Sequence, residues 1–233
     1  MLLLLIETAT EICSVALAQD ENIIDVKECC DGLSHSRNLI PFINELLKKA
    51  NIGKKELSGI GLSIGPGSYT GLRIGTSTAK GLAYSLDIPI VTSPTLLAVM
   101  MGAQQDFPDD DYLFCPMIDA RRMEVYTALY DHNGNTMKDV HALVVEKDSF
   151  EELLAQHTVV FCGNGMPKCQ ELLSQYDRAF FSDRPLSAAN LLKPTIQKFK
   201  AKAFEDVAYF EPFYLKEFVA AKSKVKGLGE IGN

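Results

Sequence analysis

The pattern of apolar and polar positions predicts three strands at the start of the chain. Residues Leu2–Thr8 are apolar on both faces, which is typical of a strand buried in the middle of a sheet. Cys13–Gln19 and Ile23–Cys29 alternate as two further strands, joined by the polar residues Asp20-Glu21-Asn22, which suit a short hairpin turn. We therefore expect an antiparallel meander that leads from a buried first strand.

A helical period follows these strands. Apolar side chains recur at intervals of three and four residues, at Leu39, Ile43, Leu46, Leu47 and Ala50. Ser34 or Ser36 can cap this helix, and Pro41 lies near its first turns, where a missing amide is least costly. Asn51-Ile52-Gly53 supplies the stop. This segment is the first predicted helix.

The rest of the first half alternates strand and helix. A short apolar strand, Gly59–Ile64, leads into the glycine-rich segment Gly65–Gly71 and a helix that ends at about Leu86. A strand at Ile88–Val91 and a helix at Pro94–Ala103 follow. This order of elements predicts an α/β layer architecture.

The polar stretch Gln104–Asp111 predicts a domain boundary, with one lobe at residues 1–105 and a second at residues 106–233. The second half repeats the order of the first, strands early and then alternating strand and helix, without a repeat at residue level. Its predicted strands are Tyr112–Ile118, Glu124–Tyr130, Ala142–Val145 and Val159–Cys162, and its predicted helices are Phe150–Ala155 and Leu186–Lys202.

Composition indicates a globular protein, since 47% of the 233 residues are hydrophobic and 23% are charged. The apolar start, Met1–Ile6, has no basic region before it and stops at Glu7, so it is too short for a signal peptide or a membrane span. We expect a cytoplasmic protein with no membrane partner. None of the six cysteines forms a C-x-x-C pair, and we interpret most of them as small core residues.

The net charge of −7 argues against a protein that grips nucleic acid by itself, because phosphate neutralisation supplies much of that affinity. Charge is nevertheless uneven, since Lys193–Lys226 holds eight lysines and four acidic residues. This lysine-rich segment could touch RNA or an acidic partner surface, or it could be a solvated face.

The glycine-rich segment meets neither of the two common phosphate-binding motifs. The dinucleotide fingerprint begins at Gly65 and Gly67 but has Thr70 in the place of its third glycine, and no G-K-[ST] triplet follows. A glycine-rich turn at a helix N-terminus can still present amides to an anion. Gly65, Gly67, Ser68 and Thr70 are therefore candidate anion or nucleotide contacts, although Ser68 and Thr70 could equally cap the helix.

Small residues also recur every four positions, at Gly67, Gly71, Gly75, Ala79 and Ala83. Residues four apart share one side of a helix, so this small-residue ridge lets another backbone approach closely. Glycines inside a helix cost about 0.8–1 kcal/mol each relative to alanine, and close packing would offset that penalty. We hypothesise that the ridge lies at or beside a protein–protein interface formed with the Leu39–Ala50 helix.

Several motifs together resemble the TsaB (YeaZ) family, over nearly the whole chain. They are Ile6-Glu7-Thr8-Ala9-Thr10 with Cys13–Leu17, His35-Ser36 with Leu39 and Pro41, Ile64–Gly75 with Ala79–Ala83, Asp119–Tyr126, and Tyr214-Leu215-Lys216. The resemblance implies an α/β fold of the actin, Hsp70 and sugar-kinase class (ASKHA), with two similar lobes. It also implies a role beside a catalytic subunit, TsaD, and an ATPase, TsaE, which place threonylcarbamoyl on N6 of adenosine 37 in tRNA.

The same resemblance places the contact with TsaD on the helices of the first half. It assigns to the partner interface His35, Leu39, Ile43, Leu46, Gly71, Gly75, Ala79 and Ala83. We expect the chain to form homodimers when it is alone, and to need no cofactor. Glu7 and Thr8 join the candidate nucleotide contacts. The family usually has aspartate where Glu7 stands. The extra methylene of Glu7 moves its carboxylate away from the position of that aspartate, which a tight magnesium site would not tolerate.

Two enzyme readings remain as alternatives: an ATP-dependent phosphotransferase or ATPase of this fold, and a metallopeptidase. No two of the four histidines, His35, His132, His141 and His157, are three to five residues apart, so no helical pair can chelate a metal. Ser68 lies in no nucleophile elbow, and we predict no catalytic serine or cysteine. Asp119 and Glu124 with Arg121 and Arg122 form either a solvated hairpin or a contact between lobes or with a partner.

Overall fold

The computed structural model describes residues 1–30 and 35–216, and two five-stranded mixed sheets form its framework. The first sheet has the order β3-β2-β1-β4-β5, in which β1 to β3 are antiparallel and β4 and β5 run parallel to β1. Its strands are β1 (Leu2–Glu7), β2 (Cys13–Gln19), β3 (Asn22–Cys29), β4 (Gly59–Ser63) and β5 (Ile90–Ser93). The predicted meander is confirmed.

The second sheet repeats the strand order of the first when the strands of each sheet are numbered from its own first strand. Its order β10-β9-β6-β7-β8 again puts the first strand in the middle, a hairpin pair on one side and two parallel strands on the other. Its strands are β6 (Tyr112–Asp119), β7 (Glu124–Tyr130), β8 (Thr136–Val144), β9 (Thr158–Cys162) and β10 (Ala179–Ser182). This duplicated architecture is the expected two-lobe ASKHA fold.

Two strands of the second sheet differ from the prediction. β10 (Ala179–Ser182) was not predicted, and β8 begins at Thr136 rather than at Ala142. Both are edge strands, and the first half of β8 is exposed on both faces. An edge strand needs little apolar alternation, so its sequence pattern is weak.

Six α-helices accompany the sheets within the described residues. They are α1 (His35–Lys49), α2 (Tyr69–Leu86), α3 (Thr95–Ala103), α4 (Glu151–Gln156), α5 (Gln170–Leu173) and α6 (Leu192–Lys200). The predicted helix at Leu186–Lys202 is divided into a short 3-10 turn, Ala188–Leu191, and α6. Pro41 lies inside α1, Ser36 is an exposed residue of that helix, and the alternative cap Ser34 lies outside the described residues.

Helices α1 and α2 cover the outer face of the first sheet. Their apolar side chains pack with Leu4, Ile6 and Leu62 in one buried cluster. On the outer face of the second sheet, α4 and α5 form a matching cluster around Phe161. Both outer faces are therefore buried by helices of their own half of the chain.

The inner faces share one core, and helices from both halves build it. Helix α3, from the first half, packs on β6, β7 and β9 of the second sheet, while α6 and the 3-10 turn before it pack on the first sheet. A single cluster thus joins Leu3 and Leu5 of β1 to Phe114 of β6 and Leu191. The chain passes from one sheet to the other between α3 and β6, and the division into two lobes at residue 105 stays a prediction.

After α6, residues 203–216 run back along the first lobe, and we call them the strap. The Glu205 amide donates to the Ile90 carbonyl at 2.9 Å, and the Phe213 amide donates to the Ile64 carbonyl at 2.8 Å. Between them, Lys80 of α2 lies 4.6 Å from the centre of the Phe210 ring. The strap therefore seals the β5 edge and the flank of α2. Nowhere in the described ranges does a helix combine the length and apolar content needed to cross a membrane.

Candidate functional site

Three polar side chains line up at the carboxyl ends of the parallel strands in the first sheet. The register pairs Ile6 with Leu62 and Ser63 with Ser93, so Glu7, Ser63 and Ser93 form one row across β1, β4 and β5. The open end of such strands is the usual place for a ligand in an α/β sheet. Here all three residues are buried.

Glu7 is the most unusual group of this row because no part of it is exposed. One carboxyl oxygen accepts a hydrogen bond from the Ala9 amide at 2.6 Å, while Oε2 has no partner among the described residues. Burial raises the pKa of Glu7 to about 7, against the opposing effect of the Ala9 amide, the Ser63 hydroxyl and the Thr8 amide. A carboxyl that is half protonated near neutral pH and sealed from solvent is poorly suited to hold magnesium.

The glycine-rich loop is packed against the turn between β1 and β2. The Ser68 amide donates to the Ala9 carbonyl at 2.6 Å, and a side chain at Gly67 would come within 2.7 Å of the Ala9 Cβ atom. Ser68 Oγ accepts the Gly71 amide at 3.2 Å, so this serine is the N-cap of α2. The capping role proposed for Ser68 is thus observed, and the amides that it and Ala9 engage are no longer open to an anion.

The remaining candidate anion contacts are placed differently. Gly65 has a φ of +121°, and the Phe213 carbonyl of the strap lies against it. Thr8 is buried and its hydroxyl donates to the Gly71 carbonyl at 2.8 Å, whereas Thr70 is exposed. Anion or nucleotide binding at Glu7, Thr8, Gly65, Gly67, Ser68 and Thr70 stays a prediction.

The small-residue ridge finds its close neighbour within the chain. Side chains added at Gly71 and Gly75 would collide with the carbonyl and the hydroxyl of Thr8, well inside 3.0 Å. Ala79 and Ala83 are buried in the cluster beneath α1 and α2. The tight approach that the glycines predicted is therefore made by α2 to the end of β1, and contact of the ridge with a partner stays a prediction.

All eight residues assigned to the partner interface are buried, namely His35, Leu39, Ile43, Leu46, Gly71, Gly75, Ala79 and Ala83. His35 opens α1, and its Nε2 lies 2.8 Å from the Thr10 carbonyl oxygen. These residues hold the helices in place rather than facing outward. Contact of α1 and α2 with a partner, and the assignment of these eight residues to it, stay predictions.

The outward side chains of α1 and α2 include two large apolar groups. Ile40 of α1 is 45% exposed and Tyr84 of α2 is 86% exposed. Gly81 is also exposed, and a side chain there would meet nothing within 4 Å. Sequence reasoning missed this outer face, although Ile40 stands out as an isoleucine on the polar side of the α1 period.

A second polar cluster, which we call the interlobe bridge, joins the turns that follow β1 and β6. The Asn164 amide group donates to Glu11 at 2.7 Å, while its oxygen accepts the Asp119 amide at 3.1 Å. Lys168 pairs with Asp119 and donates to the Glu124 carbonyl at 2.6 Å. Among the described contacts of this cluster, only the Asn164–Glu11 bond crosses between the two halves of the chain, while Arg121 and Arg122 are exposed, so both sequence interpretations of the Asp119–Glu124 cluster stay open.

The strap also ends at the interlobe bridge, where Lys216 pairs with Glu124 at 2.6 Å. Burial alone would raise the pKa of Asp119, but the hydrogen bonds from Lys168 and from the Arg121 amide hold it below its usual range. Both carboxylates of the turn are paired with lysines. The lysine-rich segment from Lys193 is described as far as Lys216, and Lys222, Lys224 and Lys226 lie outside the described residues.

Metal-binding and nucleophilic side chains do not converge in the residues that the structure describes. No group of three histidine, cysteine or acidic side chains there could hold a metal ion. Cys13, Cys115, Cys162 and Cys169 are buried free thiols. Burial raises the pKa of Cys115 to about 12, despite its contact with Thr127, so this thiol is not a ready nucleophile.

Comparison with known proteins gives one consistent family. The family model for TsaD, tRNA N6-adenosine threonylcarbamoyltransferase, matches residues 32–231. The tRNA threonylcarbamoyladenosine biosynthesis protein TsaB of Escherichia coli is 30% identical over 228 residues, which is 95% of this chain and 97% of that protein. TsaB of Bacillus subtilis is 36% identical over 140 residues, 60% of this chain and 59% of that protein.

A solved structure agrees with these sequence relatives. A Pseudomonas aeruginosa protein described as similar to the peptidase YeaZ superposes with a TM-score of 0.81 at 25% identity. The match covers 92% of this chain and 99% of the other. The duplicated sheets and their order are therefore shared with that protein.

Proposed function

Because the chain belongs to the TsaB (YeaZ) family of tRNA threonylcarbamoyladenosine biosynthesis proteins, we propose that it is a non-catalytic partner subunit of the machinery that makes this nucleoside. In this role it binds a TsaD-like catalytic subunit and supports the transfer of threonylcarbamoyl to N6 of adenosine in tRNA. The carrying observation is the likeness to Escherichia coli TsaB along almost the whole of both chains.

The non-catalytic role is supported by the chemistry of the first lobe. The buried carboxyl of Glu7 stands where kinases of this fold class place an exposed magnesium ligand, and the glycine-rich loop is packed on Ala9 and capped by Ser68. Neither group can approach a nucleotide without a rearrangement of the β1–β2 turn. These contacts favour a scaffold over the alternative of an ATPase or phosphotransferase.

The partner surface that we propose is the outer face of α1 and α2, with Ile40, Gly81 and Tyr84 at its centre. A glycine in the exposed interior of a helix costs about 1 kcal/mol relative to alanine. Gly71 and Gly75 offset this penalty by packing on Thr8, but Gly81 has no neighbour within the described chain. Close approach of another protein to Gly81 would supply the missing compensation.

The likeness of this chain to the TsaD family itself bears on its assembly. Two subunits of one fold can pair through equivalent helices, so we propose that the same face forms a homodimer when the catalytic partner is absent. A TsaE-like ATPase and the tRNA would join through the assembled complex.

Reconstitution tests the function directly. We expect the purified chain alone to show no ATP turnover and no transferase activity, and to restore modification of tRNA when it is mixed with the TsaD-like subunit and the TsaE-like ATPase. ATP hydrolysis by the chain alone that disappears in Glu7→Ala would instead favour the enzyme alternative.

A pull-down with the TsaD-like subunit tests the proposed surface. Gly81→Gln places a side chain on the face, and we expect it to weaken binding at least tenfold while the helix remains folded. Ala155→Gln, on exposed helix α4 of the second lobe, is the matched control. Equal binding by the two variants would remove α2 from the interface.

A further inference from the structure

The turn between β6 and β7 carries two consecutive arginines in an unusual backbone conformation. Arg121 has a φ of +74° and Arg122 a φ of +50°, and both are exposed. Residues with a Cβ atom rarely adopt this left-handed backbone region, which glycine and asparagine adopt more readily. Consecutive residues in that conformation turn the chain tightly between the antiparallel strands β6 and β7, and this turn leaves both arginines at the exposed tip of the hairpin.

Hydrogen bonds from the interlobe bridge, and others within the turn, hold its backbone in place. Asn164 accepts the Asp119 amide, the Asp119 carboxylate accepts the Arg121 amide at 2.9 Å, and the Ala120 amide donates to the Glu124 carbonyl at 3.0 Å. The position of its tip is thus fixed before any partner arrives.

The acidic groups of the turn are already neutralised by other cations. Asp119 is paired with Lys168, and Glu124 is paired with Lys216. No ion pair within the described residues uses the guanidinium of Arg121 or of Arg122. Two arginines are therefore displayed together on this turn without an ion pair among the described residues, although Arg121 is close enough to Asp119 to contribute to the lowering of that carboxyl's pKa.

Two lysines also lie against the turn, since Lys168 pairs with Asp119 and Lys216 pairs with Glu124. The rest of the protein is acidic, with a net charge of −7 for the whole chain. The turn is thus a local basic feature on a molecule that would otherwise repel a polyanion.

We propose that the Arg121–Arg122 turn binds the phosphate backbone of the tRNA when the chain is part of its complex, an inference that rests on the proposed function. Planar guanidinium groups match phosphate oxygens in a paired geometry, and a rigid turn loses little entropy on binding. Two such contacts position an RNA without reading its sequence. The affinity comes mainly from the other subunits, and this turn adds orientation.

A second basic region, at the end of α1, provides the natural control. Lys54 and Lys55 are exposed on a short 3-10 turn of the first lobe and carry the same combined charge as the two arginines. Carboxylates lie among the lysines there, since Lys49 pairs with Asp25 and Lys27 with Glu45. Removal of Lys54 and Lys55 therefore matches the loss of charge without touching the turn.

The experiment measures tRNA binding by the reconstituted complex at several salt concentrations. Arg121→Asn combined with Arg122→Gly suits the left-handed backbone, so we expect this variant to unfold at a temperature no lower than that of the wild type. We expect it to assemble normally with the TsaD-like subunit, to bind tRNA roughly tenfold more weakly, and to lower the slope of log affinity against log salt by about one to two. Lys54→Ala with Lys55→Ala should leave both tRNA quantities close to wild type.

Each outcome separates this inference from the proposed function. Equal affinity and equal salt slope in the arginine variant and the lysine control would overturn the inference. The inference would also be overturned if the arginine variant assembled poorly with the TsaD-like subunit while the complex that did form bound tRNA normally. That result would assign the arginines to an acidic protein surface. A wild-type chain that fails to assemble or to restore modification would instead refute the proposed function.

Discussion

A single buried carboxyl gives the first lobe its strongest electrostatic feature. Glu7 lies at the end of β1 with no exposed surface and with one oxygen unpartnered among the described residues. Because the folded state raises its pKa to about 7, from 4.5, folding favours the protonated form. Between these two values the folded chain binds more protons at this site than the unfolded chain.

This difference predicts that the free energy of unfolding falls as pH rises from about 4.5 through 7, and levels off above that. The sign follows because stability declines with pH wherever the folded state holds the extra proton. The shift corresponds to about 3 kcal/mol over the whole window. Urea titrations of wild type and Glu7→Gln at several pH values measure it, since glutamine is neutral throughout and should remove this part of the slope.

Glu21→Gln is the control, because it removes a carboxylate from an exposed position of the first lobe instead of from the buried position of Glu7. It should keep the full pH dependence of the wild type. If Glu7→Gln and Glu21→Gln follow parallel curves, Glu7 does not titrate near neutral pH.

At the residue scale, the sequence identified which residues are unusual better than it identified their neighbours in the fold. Glu7, the glycines and the Asp119–Glu124 turn were all singled out from their types and spacing. Their neighbours could not be predicted, because the strap that covers Gly65 and the Asn164 contact come from distant parts of the chain. The assignment of eight buried residues to an interface shows that spacing alone does not reveal which side of a helix is free.

At the element scale, helix α2 carries glycines with two different roles. Gly71 and Gly75 bring the helix against Thr8, while Gly81 faces open space. All three lie inside Tyr69–Leu86, so they share the same helical backbone penalty. Only the surroundings of each glycine decide the effect of adding a methyl group.

We therefore predict opposite signs for the same substitution on one helix. Gly71→Ala should destabilise the chain by about 1–3 kcal/mol, because its methyl group overlaps the Thr8 carbonyl. Gly81→Ala should stabilise it by up to about 1 kcal/mol, because alanine is the better helix former and nothing obstructs it. Urea unfolding of both variants at one pH gives the comparison, and a destabilised Gly81→Ala chain would contradict it.

Elements with a strong period were predictable, and edge elements were not. The strands β2 and β7 and the end of helix α2 at Leu86 were located correctly, since each belongs to a segment with a marked pattern of buried residues. The four-residue strand β10 and the exposed half of β8 carry no such pattern. Their places are fixed by pairing with β9 and β7, which a local reading of sequence does not contain.

At the scale of the whole molecule, the two lobes are less separate than the sequence suggested. The polar stretch after α3 was interpreted as a domain boundary, and the chain does pass there from one sheet to the other. Yet α3 lies on the second sheet, α6 lies on the first, and one buried cluster joins both inner faces. The duplicated strand order could be anticipated from the alternation of elements, whereas this exchange of helices depends on contacts between distant segments.

The exchange predicts that the chain unfolds as one cooperative unit rather than lobe by lobe. Without α6 the first sheet would expose Leu3 and Leu5, and without α3 the second would expose Phe114, so neither lobe can keep its core when the other unfolds. Calorimetry should show a single transition whose calorimetric and van't Hoff enthalpies agree. Leu62→Ala in the first lobe and Phe161→Ala in the second each remove a buried side chain and cost about 2–5 kcal/mol, and each should shift that one transition as a whole. Two resolved transitions, with each variant displacing a different one, would show that the lobes fold independently on either side of residue 105.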